Sequence, residues 1–223
     1  MGQRQLTASD GFTFGAYEAL PAGKPKGAVL VIQEIFGVNA HVRAVADGYA
    51  QAGYVALAPQ IFDRAEANVE LGYTDQDEFQ KGIKLAFQDL KMPQTLLDLQ
   101  AGIDALAGYG KVGVVGYCFG GLLTWLSACE LKGVVAASAY YGGGIAKEAT
   151  RAPKCPVMMH FGERDAHIPL TDVETIRAAQ PGVQIFVYAA DHGFNCDARG
   201  SYDAPSAKLA LERTLAFFGQ HLG

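Results

Sequence analysis

Apolar runs alternate with helical patterns along almost the whole chain. Residues 28–33, 54–58, 112–116, 134–140, 157–161 and 184–188 each read as a buried strand. Strands that alternate with helices predict a mainly parallel sheet covered on both faces. Ahead of them, 5–9 and 12–19 are shorter alternating runs divided by Asp10-Gly11, a hairpin signal that predicts an antiparallel N-terminal edge. Helical spacing is clear after Pro93, where Leu96, Leu99, Ile103 and Leu106 recur until Gly108-Tyr109-Gly110. A second helix is predicted over 122–131 and another near Val173 with Asp172 as its cap. A last one has Asp203 as cap, Pro205 in its first turn and Ala207, Leu211, Leu215 and Phe218 on its packing face. The pattern loosens over 61–90, where Asp63, Arg64, Glu66, Glu70, Asp75, Asp77, Glu78 and Lys81 crowd together. That stretch reads as a solvated face, or as a long connection that supplies a lid and substrate contacts.

This pattern changes meaning at Gly116-Tyr117-Cys118-Phe119-Gly120-Gly121, where a strand gives way to a helix. The hexapeptide has the form of a G-x-S-x-G nucleophile elbow with cysteine in place of serine. Gly116 and Gly120 remove side chains from a tight turn, and Gly121 lets the following helix approach the sheet. A thiol at the carboxyl edge of the sheet, beside helix N-terminal amides, is favoured as thiolate, its reactive form. The competing reading is a buried structural cysteine.

At 223 residues, 50% hydrophobic and 18% charged, the chain fits a single domain spanning 1–223 with a substantial core. A net charge of −5 without a basic run argues against nucleic acid or an anionic membrane as partner. The N-terminus lacks the apolar core of a signal peptide and no apolar run reaches membrane-spanning length, so a cytoplasmic location is expected. Cys118, Cys129, Cys155 and Cys196 are irregularly spaced, with no C-x-x-C pair, so neither a disulfide framework nor a zinc site is expected. No metal, no cofactor and a monomeric state complete that expectation.

A nucleophilic thiol needs a base and an acid that orients the base, in the chain order nucleophile, acid, histidine. Asp165 follows the strand at 157–161 and His192 the strand at 184–188, so both fall on loops at the same sheet edge. Glu163 and Asp172 are the rival acids and His167 the rival base. His160 lies inside a strand and reads as a core histidine, while His41 and His221 lie far from the required positions. The oxyanion donors predicted by the elbow are the amides of Phe119 and, in the loop after the first parallel strand, Ile35. Glu34 directly follows apolar residues; it is either a carboxylate solvated just past the strand or one that holds the Cys118 thiol protonated until substrate arrives. Serine esterase chemistry at Ser127 or Ser138 is a weaker reading, since neither lies in an elbow.

Taken together, these residues resemble the dienelactone hydrolase family, α/β-hydrolases that open an unsaturated butenolide ring. The likeness is carried by Gln33-Glu34-Ile35-Phe36-Gly37-Val38-Asn39, Gly53-Tyr54, Ala58-Pro59, the segment from Gly113 to Gly121, Tyr140-Tyr141-Gly142, Asp165 and His192. It implies an α/β-hydrolase fold and a Cys118, His192, Asp165 triad, with Glu34 controlling the resting thiol and Ile35 and Phe119 holding the oxyanion. It also implies a small-molecule lactone or activated-ester substrate reached through a Cys118 acyl-thioester. Two arginines hold the substrate carboxylate in dienelactone-active members; here Lys81 stands at the first position and Cys196 at the second, with Arg199 three residues further on. Lysine lacks the planar bidentate fork and cysteine lacks positive charge. A thiol-reactive binding or sensor protein on a hydrolase scaffold is the alternative reading.

Overall fold

The computed structural model describes residues 2–223. Its first two strands, β1 (Gly2–Thr7) and β2 (Thr13–Ala19), form the antiparallel hairpin. They are followed by β3 (Ala28–Ile32), β4 (Val55–Pro59), β5 (Val112–Tyr117), β6 (Val134–Tyr140), β7 (Val157–Gly162) and β8 (Gln184–Tyr188). All eight strands belong to one sheet in the order β1-β2-β4-β3-β5-β6-β7-β8, and β3 to β8 pair in parallel. Every residue of β3, β4 and β5 is buried, which is why these strands are continuously apolar rather than alternating.

β1 lies earlier than the alternation predicts. The turn takes residues 8 to 12 for itself: Gly11 N–H donates to the Ala8 carbonyl, Phe12 N–H to Asp10 Oδ1, and Gly11 has φ +87°. The left-handed conformation at the end of this turn is one that glycine adopts without steric cost.

Helices α1 (Ala40–Gln51), α2 (Gln76–Lys84), α3 (Met92–Leu106), α4 (Phe119–Glu130), α5 (Leu170–Ala179) and α6 (Ala204–Leu222) complete the fold. α1 and α6 meet through Tyr49 and Phe218, whereas α3 packs beside α4. Asp203 Oδ1 caps α6 by accepting from Ser206 N–H at 2.9 Å, as predicted. The packing face differs: Ala207, Ala210, Thr214, Phe217 and Phe218 are buried, and Leu211 is 42% exposed. The cause is polar. Thr214 Oγ1 must reach the buried hydroxyls of Ser138 and Tyr140 and the His160 ring, which rotates the helix away from Leu211. α5 begins at Leu170, so Asp172 lies in its first turn and Pro169 takes the cap position. The charged stretch is partly structural too, since Arg64 makes two 2.7 Å hydrogen bonds to the buried Asp98 carboxylate.

The elbow is tightly packed. α4 starts at Phe119, three residues before the predicted helix, so the turn after β5 consists of Cys118 alone, at φ +55° and ψ −115°. A Cβ on Gly116 would sit 2.1 Å from the Gly120 carbonyl, and one on Gly120 2.4 Å from the Ile32 carbonyl. These neighbours are backbone and cannot swing aside. Gly120→Ala is therefore expected to cost about 1–3 kcal/mol of stability, read as a lower denaturation midpoint, and an unchanged midpoint would contradict the packing described.

Candidate active site

The carboxyl ends of β3, β5, β7 and β8 deliver the loops that carry Ile35, Cys118, Asp165 and His192. His192 Nε2 lies 3.2 Å from Cys118 Sγ, and His192 Nδ1 lies 2.7 Å from Asp165 Oδ2. Asp165 Oδ1 accepts from the His167 and Ile168 amides at 2.8 and 3.1 Å, which fixes the carboxylate. These three side chains thus form one hydrogen-bonded chain from different loops. Burial alone would push the His192 pKa down, but hydrogen bonds to Asp165 and Cys118 outweigh it and raise it to about 10.

Cys118 and His192 open into a cavity of about 490 Å³ whose walls include Ile35, Phe36, Phe79, Ile83, Phe119 and Leu122. Among the described residues, neither the Ile35 nor the Phe119 amide donates a hydrogen bond to the protein. Phe119 is the first residue of α4, where an amide has no acceptor within the helix. The Ile35 peptide is held from behind by α2, because Gly82 approaches so closely that a Cβ there would lie 2.2 Å from the Ile35 carbonyl oxygen. α2 continues into a π-helical turn at Leu85–Asp89, whose Phe87 is 60% exposed and packs edge-on against Phe119 at the cavity mouth. Such π turns are rare and cluster at functional sites.

The predicted substrate contacts separate. Phe79, Ile83 and Gly82 occupy the inward face of α2, which leaves Lys81 on the opposite side, 2.5 Å from Glu66 and outside the cavity walls. Arg199 does line the cavity, with its guanidinium 3.4 Å from Glu34 Oε1 and packed against the Gly193 backbone. Glu34 is neither solvated nor bonded to Cys118: it is 1% exposed, Arg199 approaches one oxygen, and the other, Oε2, has no hydrogen-bond partner. Cys196 is fully buried.

The remaining candidates sort by contact. His167 stacks edge-on against His192 with ring centres 5.1 Å apart and makes no hydrogen bond to Cys118. Glu163 lies on the exposed surface. His160 is the core histidine predicted, bonded to Tyr188 and Thr214, and burial lowers its pKa to about 3. Ser127 donates to the Leu123 carbonyl and Ser138 pairs with Thr214, so both hydroxyls are spent inside the core.

Two further residues beside the site have no role in the sequence reading. Lys147, on the short helical turn after β6, is exposed, lines the cavity and has no carboxylate partner among the described residues. The preceding Gly142-Gly143-Gly144 was the signal that this loop runs close to the site. Tyr141 is buried at φ +35° with its ring edge-on to His192, a strained position of the kind that persists where surroundings force it.

A mainly parallel sheet with an antiparallel edge and a strained strand-to-helix elbow define an α/β-hydrolase fold, and the residue at the elbow is a cysteine. The match extends to a family. The family model described as the dienelactone hydrolase family matches residues 14–222, and the chain belongs to that family. A carboxymethylenebutenolidase from Pseudomonas putida is 36% identical over 223 residues, covering 95% of this chain and 93% of the relative. A solved chain from Klebsiella pneumoniae that carries a provisional dienelactone hydrolase name superposes with a TM-score of 0.82 at 33% identity, covering 99% of this chain and 100% of that one. A promiscuous phosphotriesterase from metagenomic libraries, described as dienelactone hydrolase-like, shares the fold at TM-score 0.80 and 21% identity, covering 100% and 99% of the two chains. Among the described residues, no helix is long and apolar enough to cross a membrane.

Proposed function

We propose that this protein hydrolyses lactones or activated esters that carry a carboxylate, through an acyl-thioester on Cys118. One observation carries the reading: the unbroken hydrogen-bonded chain from Asp165 through His192 to Cys118, ending at the floor of a cavity. His192 takes the thiol proton, and the sulfur attacks the substrate carbonyl carbon. The carbonyl oxygen, now anionic, receives the free amides of Ile35 and Phe119; one such donor is typically worth about 3 kcal/mol of barrier. Collapse breaks the carbon–oxygen bond, and the imidazolium returns its proton to the departing oxygen. With a lactone, that oxygen remains tethered to the acyl-enzyme. Water then attacks the thioester with His192 as base, releasing the acid and restoring the thiol.

Thiols attack activated carbonyls well, which favours lactones and aryl esters over amides. The apolar wall of Phe36, Phe79, Ile83, Phe87 and Leu122 suits a planar unsaturated substrate, and the positive groups set its orientation. Arg199 supplies the role that the buried Cys196 cannot, because its guanidinium faces the cavity while Glu34 anchors its other side. Lys147 offers a second charge at the rim.

Turnover of cis- and trans-dienelactone and of neutral aryl esters tests this reading. Arg199→Gln is expected to raise KM for the carboxylate-bearing lactone about tenfold, the worth of one charged hydrogen bond, and to leave the neutral ester within about threefold. Equal losses on both substrates would remove Arg199 from substrate recognition. Stoichiometric labelling of Cys118 without turnover across the panel would favour a thiol-reactive binding protein instead.

A further inference from the structure

Glu34, His41 and Cys196 are remote in sequence, yet each offers a ligand atom within 4.8 Å of the other two. Glu34 follows β3, His41 opens α1 and Cys196 belongs to the loop after β8. Nothing in their spacing announces a metal site, and the sequence reading expected none. Their chemistry does. Glu34 Oε2 is buried without any hydrogen-bond partner, an arrangement that costs free energy unless something else satisfies it. His41 Nδ1 lies 2.9 Å from Asp197 Oδ1, where a carboxylate accepts from Nδ1–H, so that in the neutral ring Nε2 is the nitrogen able to ligate. A carboxylate behind a histidine is the usual outer support of a metal-binding imidazole.

We propose that Glu34, His41 and Cys196 form a divalent-cation site selective for zinc. Thiolate, imidazole and carboxylate together suit zinc, whereas magnesium and calcium demand several oxygen ligands. Zinc holds neighbouring ligand atoms about 3.5 Å apart, so the three side chains close by about 1 Å on binding. Three protein ligands leave the fourth position to water. His41 and Asp197 line a second cavity of about 400 Å³, whereas Glu34 and Cys196 are buried and do not line it. Binding forms a zinc–sulfur bond and releases the Cys196 thiol proton to solvent, with no change of oxidation state. It also neutralises Glu34, the anion that anchors Arg199 at the first cavity. The site does not depend on the hydrolase reading.

The test is calorimetric titration of the chelator-treated protein with zinc, in two buffers of different ionisation enthalpy so that released protons are counted. One zinc per chain at micromolar or tighter affinity, with proton release, is expected. His41→Ala and Cys196→Ser are each expected to weaken it at least about tenfold, while Cys118→Ser retains it. The wild type and Cys118→Ser should both show a thiolate-to-metal absorption band with cobalt, a readout independent of whether the ligand variants fold. Absence of zinc binding by the wild type overturns the proposal. Binding undiminished in His41→Ala, or zinc binding and the cobalt band lost with Cys118→Ser, also overturns it; the latter would place the cation on the Cys118–His192 pair.

Discussion

Cys118→Ala is expected to lower kcat/KM for an activated ester by about 10⁴-fold or more, because the variant has no group that can form the acyl intermediate. Little residual activity should survive, since the free amides of Ile35 and Phe119 would then stabilise only attack by water. The fold should tolerate the change: Cys118 is only partly buried, its neighbours in the turn are backbone, and alanine meets the same φ of +55° that cysteine already endures. Melting within a few degrees of wild type would separate lost chemistry from lost structure. The other thiols provide an internal control. Cys129 and Cys196 are buried and Cys155 lies outside the cavity, so a small electrophile should label the wild type first at Cys118, and the variant should lose that rapid site alone. Wild-type rates in the alanine variant would end the acyl-thioester reading.

The elements of the fold were legible because their physics is local. Continuous apolar runs bounded by turns become buried parallel strands, and Gly116 answers to the Gly120 backbone four residues on, although Gly120 itself is seated against the Ile32 carbonyl of β3. Asp165 and His192 were legible because the fold sends every loop after a strand to the same edge. Lys81 and Arg199 were harder: their sequence positions are equally plausible, and only the rotation of α2, set by Gly82 seated on Ile35, turns Lys81 outward. Glu34 shows a similar limit. Its position after β3 was plain, but its partner Arg199 is 165 residues away. The packing face of α6 was missed for a related reason, since it is set by a hydroxyl network rather than by apolar periodicity.

Asp165→Asn is expected to lower kcat by about 10²–10⁴-fold while leaving KM nearly unchanged. The asparagine carbonyl can still accept the His167 and Ile168 amides, which places its NH₂ against His192 Nδ1 in the position of Asp165 Oδ2. Two donors cannot face each other, so Nδ1 becomes the acceptor and the ring proton moves to Nε2, toward Cys118. In that tautomer His192 cannot take the thiol proton. Stability should carry the same signature. In the wild type, burial disfavours the charged imidazole, but the bonds to Asp165 and Cys118 prevail and raise its pKa to about 10. The unfolded value is about 6.5, so the folded state binds the proton more tightly. Its contribution to stability is fully present below about pH 6.5 and is lost as pH rises through about 10. The difference in melting temperature between wild type and Asp165→Asn should therefore be largest below pH 6.5 and narrow steadily toward pH 10. A difference that stays constant across that window would mean Asp165 holds the loop together without stabilising the imidazolium, and the acid's role would have to be assigned elsewhere.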